Sequence, residues 1–104
     1  MKKIINGKRY DTETATEIGL GESMCGYTDF NWFTERLYRT KAGQFFLAGE
    51  GGPMSRWSRS IDQNSWSSGS GIVLMTASEA RDWCEDHMDA DEIDAAGCFA
   101  IEEG

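Results

Sequence analysis

Apolar and polar residues alternate over short stretches through much of the chain, and this pattern predicts β-strands. Residues 27–39 alternate in this way, which places Phe33, Glu35 and Leu37 on one face of a strand. The apolar run at 71–75 has the length of a strand, and we predict that it lies in the centre of a sheet.

Turn signals and caps divide the rest of the chain. Asn6-Gly7 predicts a hairpin turn, because both residues tolerate positive φ. The other predicted elements are a short helix at 11–18 ended by Gly19 or Gly21, a turn at 40–43, a strand at 44–48 ended by 49–53, an exposed loop or edge strand at 55–71, helices at 77–87 and 91–96, and a last strand at 98–101. We therefore expect one α+β domain over 1–104, with an antiparallel sheet of four to six strands packed against one main helix plus a short N-terminal helix.

The main helix has an apolar stripe and a cap signal. Four residues recur at i, i+3, i+4 and i+7 and form the predicted buried stripe, namely Ala80, Trp83, Cys84 and His87. Thr76 or Ser78 precedes it as a candidate N-cap. Thr76 with Glu79 fits the capping-box pattern, in which each residue bonds the backbone N–H of the other.

Negative charge is concentrated at the end of the chain. The 104 residues include 18 acidic and 10 basic ones, for a net charge of −8. Residues 1–78 balance to +1 and residues 79–104 to −9. The candidate partner-binding residues, which we call the acidic surface, are Glu79, Asp82, Glu85, Asp86, Asp89, Asp91, Glu92 and Asp94. Such asymmetry indicates a basic protein partner and argues against contact with DNA or an anionic membrane.

The acidic surface has two interpretations. Like charges three or four residues apart destabilise a helix, and those near its C-terminal end oppose the helix dipole, so their retention hints at function. Their spacing of about 4.5–6 Å along the axis is of the order of the phosphate spacing in a nucleic-acid strand. The alternative is a solvated helix face that keeps the protein soluble.

Catalytic and metal-binding arrangements are weaker alternatives. Cys84 and His87 could join Cys25 and Cys98 in a Cys3His zinc site, but the spacing is not that of a paired zinc knuckle. The same Cys84–His87 pair could form a nucleophilic dyad, yet the nearby carboxylates would raise the thiol pKa. Paired carboxylates lack an apolar setting that would separate their pKa values. We therefore expect no enzymatic activity, no metal and no cofactor.

Aromatic and basic residues form a second candidate binding segment. Arg56, Trp57 and Arg59 could stack on and pair with nucleic acid, as a small regulatory protein would use them. Alternatively, the arginines neutralise acids of the same chain. Trp57 or Trp66 could also serve as exposed anchors for a protein partner.

Several features indicate a cytoplasmic protein. The N-terminal residues lack the apolar stretch of a secretory signal, and the longest apolar run is far shorter than the about 20 residues that span a bilayer. Three cysteines cannot all pair within one chain, so we expect reduced thiols in a bacterial cytosol.

Parts of the chain resemble small proteins encoded by bacterial phages and mobile elements. The resemblance rests on residues 2–15, on 37–39 with 43–47 and 49–53, and on 77–83, together about half of the chain. None of these motifs is catalytic. Small acidic members of this group include anti-CRISPR proteins, some of which imitate DNA. The resemblance implies an inhibitor of this class. Together with the charge asymmetry, it leads us to the hypothesis that the acidic surface occupies the Lys/Arg-rich DNA groove of a CRISPR–Cas effector subunit, with a type I effector favoured.

Overall fold

The computed structural model of the protein describes residues 1–23, 30–62 and 65–99. Its elements are β1 (Lys2–Ile5), β2 (Lys8–Asp11), β3 (Thr16–Glu22), β4 (Phe33–Arg39), β5 (Phe45–Gly51), β6 (Arg59–Asp62), β7 (Ser65–Ser67), β8 (Gly69–Met75), α1 (Ala77–His87) and α2 (Ala90–Ala96). The antiparallel strands form a four-stranded sheet in the order β3-β4-β5-β8 and two small sheets, β1-β2 and β6-β7. The predicted α+β class is confirmed.

The N-terminal hairpin forms as predicted. Asn6 and Gly7 turn the chain with φ of 52° and 79°, and the register pairs Ile4 with Arg9. Tyr10 on β2 is buried against one face of the four-stranded sheet, with its ring 5.7 Å from that of Phe46. The hairpin thereby covers this face of the sheet.

The predicted helix at 11–18 is wrong. The backbone N–H of Glu13 donates to the Asp11 carboxylate and that of Ala15 to the Asp11 carbonyl, which makes a turn instead of a helix. The chain pairs with β4 from Thr16 to Glu22. The polar residues between β2 and Thr16 therefore form the connection between two strands. The short N-terminal helix is therefore absent from the described residues.

The alternation in β4 was predicted correctly and determines the two faces of the sheet. Leu37 packs with Leu47, Trp83 and Cys84 beneath α1. Tyr38 points to the opposite face, where its ring stacks on Phe46 at 5.2 Å. The sheet is thus covered on both faces, with the main helix on one and the N-terminal hairpin on the other.

One prediction about strand position is wrong, and another is not met at the residues that the structure describes. The apolar run at 71–75 belongs to β8, which lies at an edge of the four-stranded sheet and pairs within it only with β5. Val73, which lies beside Leu47 on the face that carries α1, is still 43% exposed at this edge. A short apolar run therefore did not require a central place. The strand predicted at 98–101 is not formed at Cys98 or Phe99, and its remainder lies outside the described residues.

Other boundaries differ by a few residues. β5 runs through Gly51, three residues into the predicted break at 49–53. The predicted loop at 55–71 contains the short pair β6 and β7 and the beginning of β8. The turn at 40–43 is confirmed, with Gly43 at φ of 92°.

Candidate functional site

The helices of the acidic surface form where the sequence predicts them. Helix α1 spans the predicted residues. Helix α2 begins one residue earlier than predicted and ends at Ala96, where Gly97 caps it with φ of 65°. Within α1 the buried residues are Ala80, Trp83 and Cys84, and His87 is half-buried. The predicted apolar stripe is therefore confirmed, and it leaves the acidic residues of α1 facing outward.

All eight side chains of the acidic surface are exposed. The ion pairs among the described residues join Arg36 to Glu17, and Arg56 and His87 to Glu35. None of them involves a member of the acidic surface. Within the part of the chain that the structure describes, no ion pair therefore joins these carboxylates to a basic side chain.

Three of the eight carboxylates cap the starts of helices. Glu79 and Thr76 form the predicted capping box at the start of α1, with bonds of 2.9 and 3.1 Å. The pKa of Glu79 is lowered mainly by the hydrogen bond that its carboxylate accepts from the backbone N–H of Thr76, and further by the Thr76 side chain. Asp89 and Glu92 form a second capping box at the start of α2.

The second capping box corrects the sequence interpretation of the helix dipole. Asp89 is the N-cap of α2, with Asp91 and Glu92 in its first turn. These carboxylates therefore lie at the positive end of a helix dipole, where negative charge is stabilising. Their presence is partly explained by the architecture, and the argument that they oppose a helix dipole does not apply to them.

The two ends of the acidic surface have different neighbours. Asp86 lines a cleft of about 680 Å³ together with Glu22 of β3 and His87. Glu92 lines a separate cleft of about 790 Å³, whose lining includes Arg39 and Lys41. One end of the acidic surface therefore continues onto another acid, whereas the other end borders basic residues.

A second cluster, which the sequence analysis missed, surrounds Glu35. Its carboxylate is 4% exposed and accepts a 2.8 Å hydrogen bond from the indole N–H of Trp57 at Oε2 and another from Trp83 at Oε1. The Nε of Arg56 lies 3.7 Å from Oε2, and the Nε2 of His87 lies 4.0 Å from Oε1. We call these five residues the Glu35 cluster. One visible signal was the alternation in β4, which places a carboxylate on the same face as Phe33 and Leu37.

The Glu35 cluster borders a cavity of about 320 Å³ between α1, β4 and the segment after β5. Its lining residues are Asn31, Phe33, Glu35, Met54, Ser55, Arg56 and His87. At its edge the N–H of Met54 donates to the carbonyl of Phe30, and these two side chains are 67% and 63% exposed. Apolar groups therefore adjoin a buried carboxylate at this place.

The proposed anchor residues differ in exposure. Trp57 is 6% exposed and its indole N–H is engaged by Glu35, so it is not an exposed anchor. Stacking of Trp57 on a nucleobase would require it to leave the core. Trp66 on β7 is 52% exposed, as an anchor must be. Arg56 and Arg59 are exposed.

The cysteines show no arrangement suited to metal binding within the described residues, which contain no cluster of three or more His, Cys, Asp or Glu able to hold an ion. Cys84 is fully buried, and burial, together with Cys98 and Glu85, raises the pKa of its thiol to about 11. Such a thiol is a poor nucleophile at neutral pH. Cys25, the remaining member of the predicted zinc set, lies outside the described residues.

Two further searches bear on function. In the part of the chain that the structure describes, neither helix has the length and apolar character needed to cross a bilayer. Comparison of the chain with protein-family models, curated proteins and solved structures found no match.

Proposed function

We propose that this protein is a non-enzymatic inhibitor that binds a basic DNA-binding groove on a bacterial defence complex. The acidic surface enters a Lys/Arg-lined groove of a CRISPR–Cas effector subunit, type I being favoured, and excludes target DNA. The inhibitor acts in the cytoplasm of the bacterial host. It does not itself bind nucleic acid, because phosphates repel the same carboxylates.

One observation carries this proposal. Eight carboxylates are exposed on two consecutive short helices, and among the described residues no ion pair neutralises them. Such a concentration of charge attracts a cationic surface and accelerates its encounter with the protein. A groove that normally holds DNA phosphates presents the complementary charge.

The carboxylates without a capping role are the ones best suited to contact a partner. Glu79, Asp89 and Glu92 hold the helix starts, so a partner would compete with the caps for them. The other five, which make no hydrogen bond among the described residues, are Asp82, Glu85, Asp86, Asp91 and Asp94. Trp66 can add an exposed aromatic contact at the edge of the interface.

The test measures binding of target DNA by a purified type I effector complex, with and without the protein. The expected result is loss of DNA binding with the native chain, and recovery of DNA binding with the double variant Asp82→Lys/Asp86→Lys. The matched control is Glu13→Lys/Glu50→Lys, which changes net charge equally at exposed acids outside the acidic surface. The control should inhibit like the native chain.

Two results would contradict the proposal. If Asp82→Lys/Asp86→Lys inhibits as well as the native chain, the acidic surface is not the contact. If the protein shifts free single- or double-stranded DNA in a mobility assay, it binds nucleic acid directly, and the alternative segment of Arg56, Trp57 and Arg59 becomes the better explanation. Raised salt should weaken the complex, because it screens exposed charge.

A further inference from the structure

The Glu35 carboxylate retains acceptor positions although it is buried. Each of its oxygens accepts one indole N–H, from Trp57 at Oε2 and from Trp83 at Oε1. A carboxylate has about four acceptor positions, two on each oxygen. Each oxygen therefore has a second position, and the two indoles hold the carboxylate in one orientation.

The basic side chains of Arg56 and His87 beside Glu35 do not form hydrogen bonds with it. The Nε of Arg56 is 3.7 Å from Oε2, whereas such bonds require about 2.7–3.2 Å. The Arg56 side chain is 49% exposed, so it approaches Glu35 from the solvent side and is only partly enclosed by the protein. The Nε2 of His87 is 4.0 Å from Oε1 on the other side of the carboxylate. Charge of opposite sign is close to Glu35, but its remaining acceptor positions are not filled by these groups.

The cavity beside Glu35 combines an anionic floor with apolar walls. Phe33 and Met54 line it together with the carboxylate, and the Met54 side chain is 67% exposed. Its volume of about 320 Å³ is at the small end of the range of about 300–1,000 Å³ typical of small-ligand pockets. A ligand that fits has a cationic head and a short apolar stem.

We propose that this cavity binds the side chain of an arginine supplied by another molecule, whose guanidinium replaces Arg56 at Glu35. A guanidinium presents a planar fork of N–H donors that matches the two oxygens of a carboxylate. It is weakly hydrated and stacks on aromatic faces, which suits the ring of Phe33. The aliphatic part of the arginine side chain lies along Met54.

Other ligand classes fit less well. An anion would face the Glu35 carboxylate at the floor of the cavity. A metal ion needs several ligands, and the described residues contain no group of three or more His, Cys, Asp or Glu that could hold one. The cavity is also distinct from the acidic surface, so this inference goes beyond the proposed inhibitor function and can hold or fail without it.

The first experiment titrates ¹⁵N-labelled protein with N-acetyl-arginine amide and follows the indole N–H signals. The signals of Trp57 and Trp83 should move together and saturate, because both indoles donate to the carboxylate that the probe occupies. The exposed Trp66 is the internal reference and should not move. N-acetyl-citrulline amide, the neutral analogue of the same shape, should produce no saturating shift. Absence of a response to the arginine probe, or an equal response to citrulline, overturns the proposal.

The second experiment tests the displacement of Arg56. Arg56→Ala should bind the arginine probe about threefold to tenfold more tightly, because the resident cation no longer competes. Arg59→Ala removes the same charge from an exposed position and should bind like the native chain. Unchanged or weaker binding by Arg56→Ala overturns the proposal.

A third comparison distinguishes an arginine side chain from a small free guanidinium. Methylguanidinium carries the same head without the stem, so it should bind more weakly than N-acetyl-arginine amide. Met54→Ala should reduce that difference, because Met54 contacts the stem and not the head. Equal affinity for the two probes in the native chain would contradict the assignment to an arginine side chain.

Discussion

The carboxylate of Glu35 on β4 and the indole of Trp83 on α1 are joined by a 2.8 Å hydrogen bond, although they are 48 residues apart in the chain. Both side chains are almost completely buried, at 4% and 3% exposure. A hydrogen bond to a charged group in a buried setting is worth more than one between neutral groups. This bond therefore fixes the main helix on the sheet at one defined place.

We predict that Trp83→Phe destabilises the fold by about 2–4 kcal/mol. The change removes a hydrogen bond to a charged group, worth about 1.5–3 kcal/mol, and part of a buried ring. The free energy of unfolding should be measured by urea titration with far-UV circular dichroism. Trp66→Phe, at a 52% exposed site, is the control and should change stability by less than about 0.5 kcal/mol. Equal losses in the two variants would show that the Glu35 bond does not hold the helix.

The contact between β3 and α1 depends on glycine, which leads to a second prediction. A Cβ at Gly21 would lie 2.8 Å from Cζ2 of Trp83 and 2.9 Å from Cγ of His87, both of them ring atoms. We expect Gly21→Ala to cost about 1–3 kcal/mol, because the helix must move away from the sheet.

The matched control for Gly21 is Gly71 in β8 of the same sheet. A Cβ there would meet Trp57 only at 3.8 Å, an ordinary contact distance. Gly71→Ala should therefore leave thermal stability unchanged or raise it. If both glycine variants melt at the same temperature, close approach of α1 is not the reason for glycine in β3.

The elements that could be predicted are those determined by neighbouring residues. The hairpin turn depends on Asn6 and Gly7 themselves, and the start of α1 depends on Thr76 and Glu79, three residues apart. Likewise, the period of two in β4 placed Leu37 and Tyr38 on opposite faces. Local chemistry was sufficient in each case.

The wrong predictions concern segments whose structure depends on residues that are far away in the chain. Residues 11–18 have helix-like composition, but Thr16 pairs with Arg39 on β4, and this long-range ladder prevails over a marginal local preference. Gly19 and Gly21 were interpreted as helix ends because only the folded chain shows that Met88, Trp83 and His87 press against them.

The two candidate sites also differ in how far the sequence alone could predict them. The exposure of the acidic residues on α1 follows from the helical period of that helix, so the sequence was sufficient to predict it. The Glu35 cluster needed knowledge of Trp57 and Trp83, which lie 22 and 48 residues away. The buried state of Trp57 could not be inferred from its polar surroundings in the sequence.

The third prediction concerns the cap of α1, for which the sequence offered Thr76 or Ser78. The Thr76 hydroxyl accepts from the N–H of Glu79, and Ser78 lies exposed inside the first turn. Thr76→Ala should cost about 1 kcal/mol, the usual loss for an N-cap. Ser78→Ala should be neutral or slightly stabilising, because alanine favours helix interiors. Chemical denaturation of both variants checks this, and a larger loss for Ser78→Ala would contradict the assigned cap.

The last prediction concerns the reactivity of Cys84. Burial raises the pKa of its thiol to about 11 from an ordinary value of 9.0. Only the thiolate is alkylated, so at about pH 8 the raised pKa alone slows labelling about 100-fold relative to an unperturbed thiol. Peptide-level mass spectrometry after iodoacetamide treatment should find Cys84 protected in the folded protein and labelled in urea, with the half-buried Cys98 labelled faster when folded. Rapid labelling of Cys84 in the folded protein would mean that α1 opens from the sheet, because its thiol is otherwise enclosed beneath that helix.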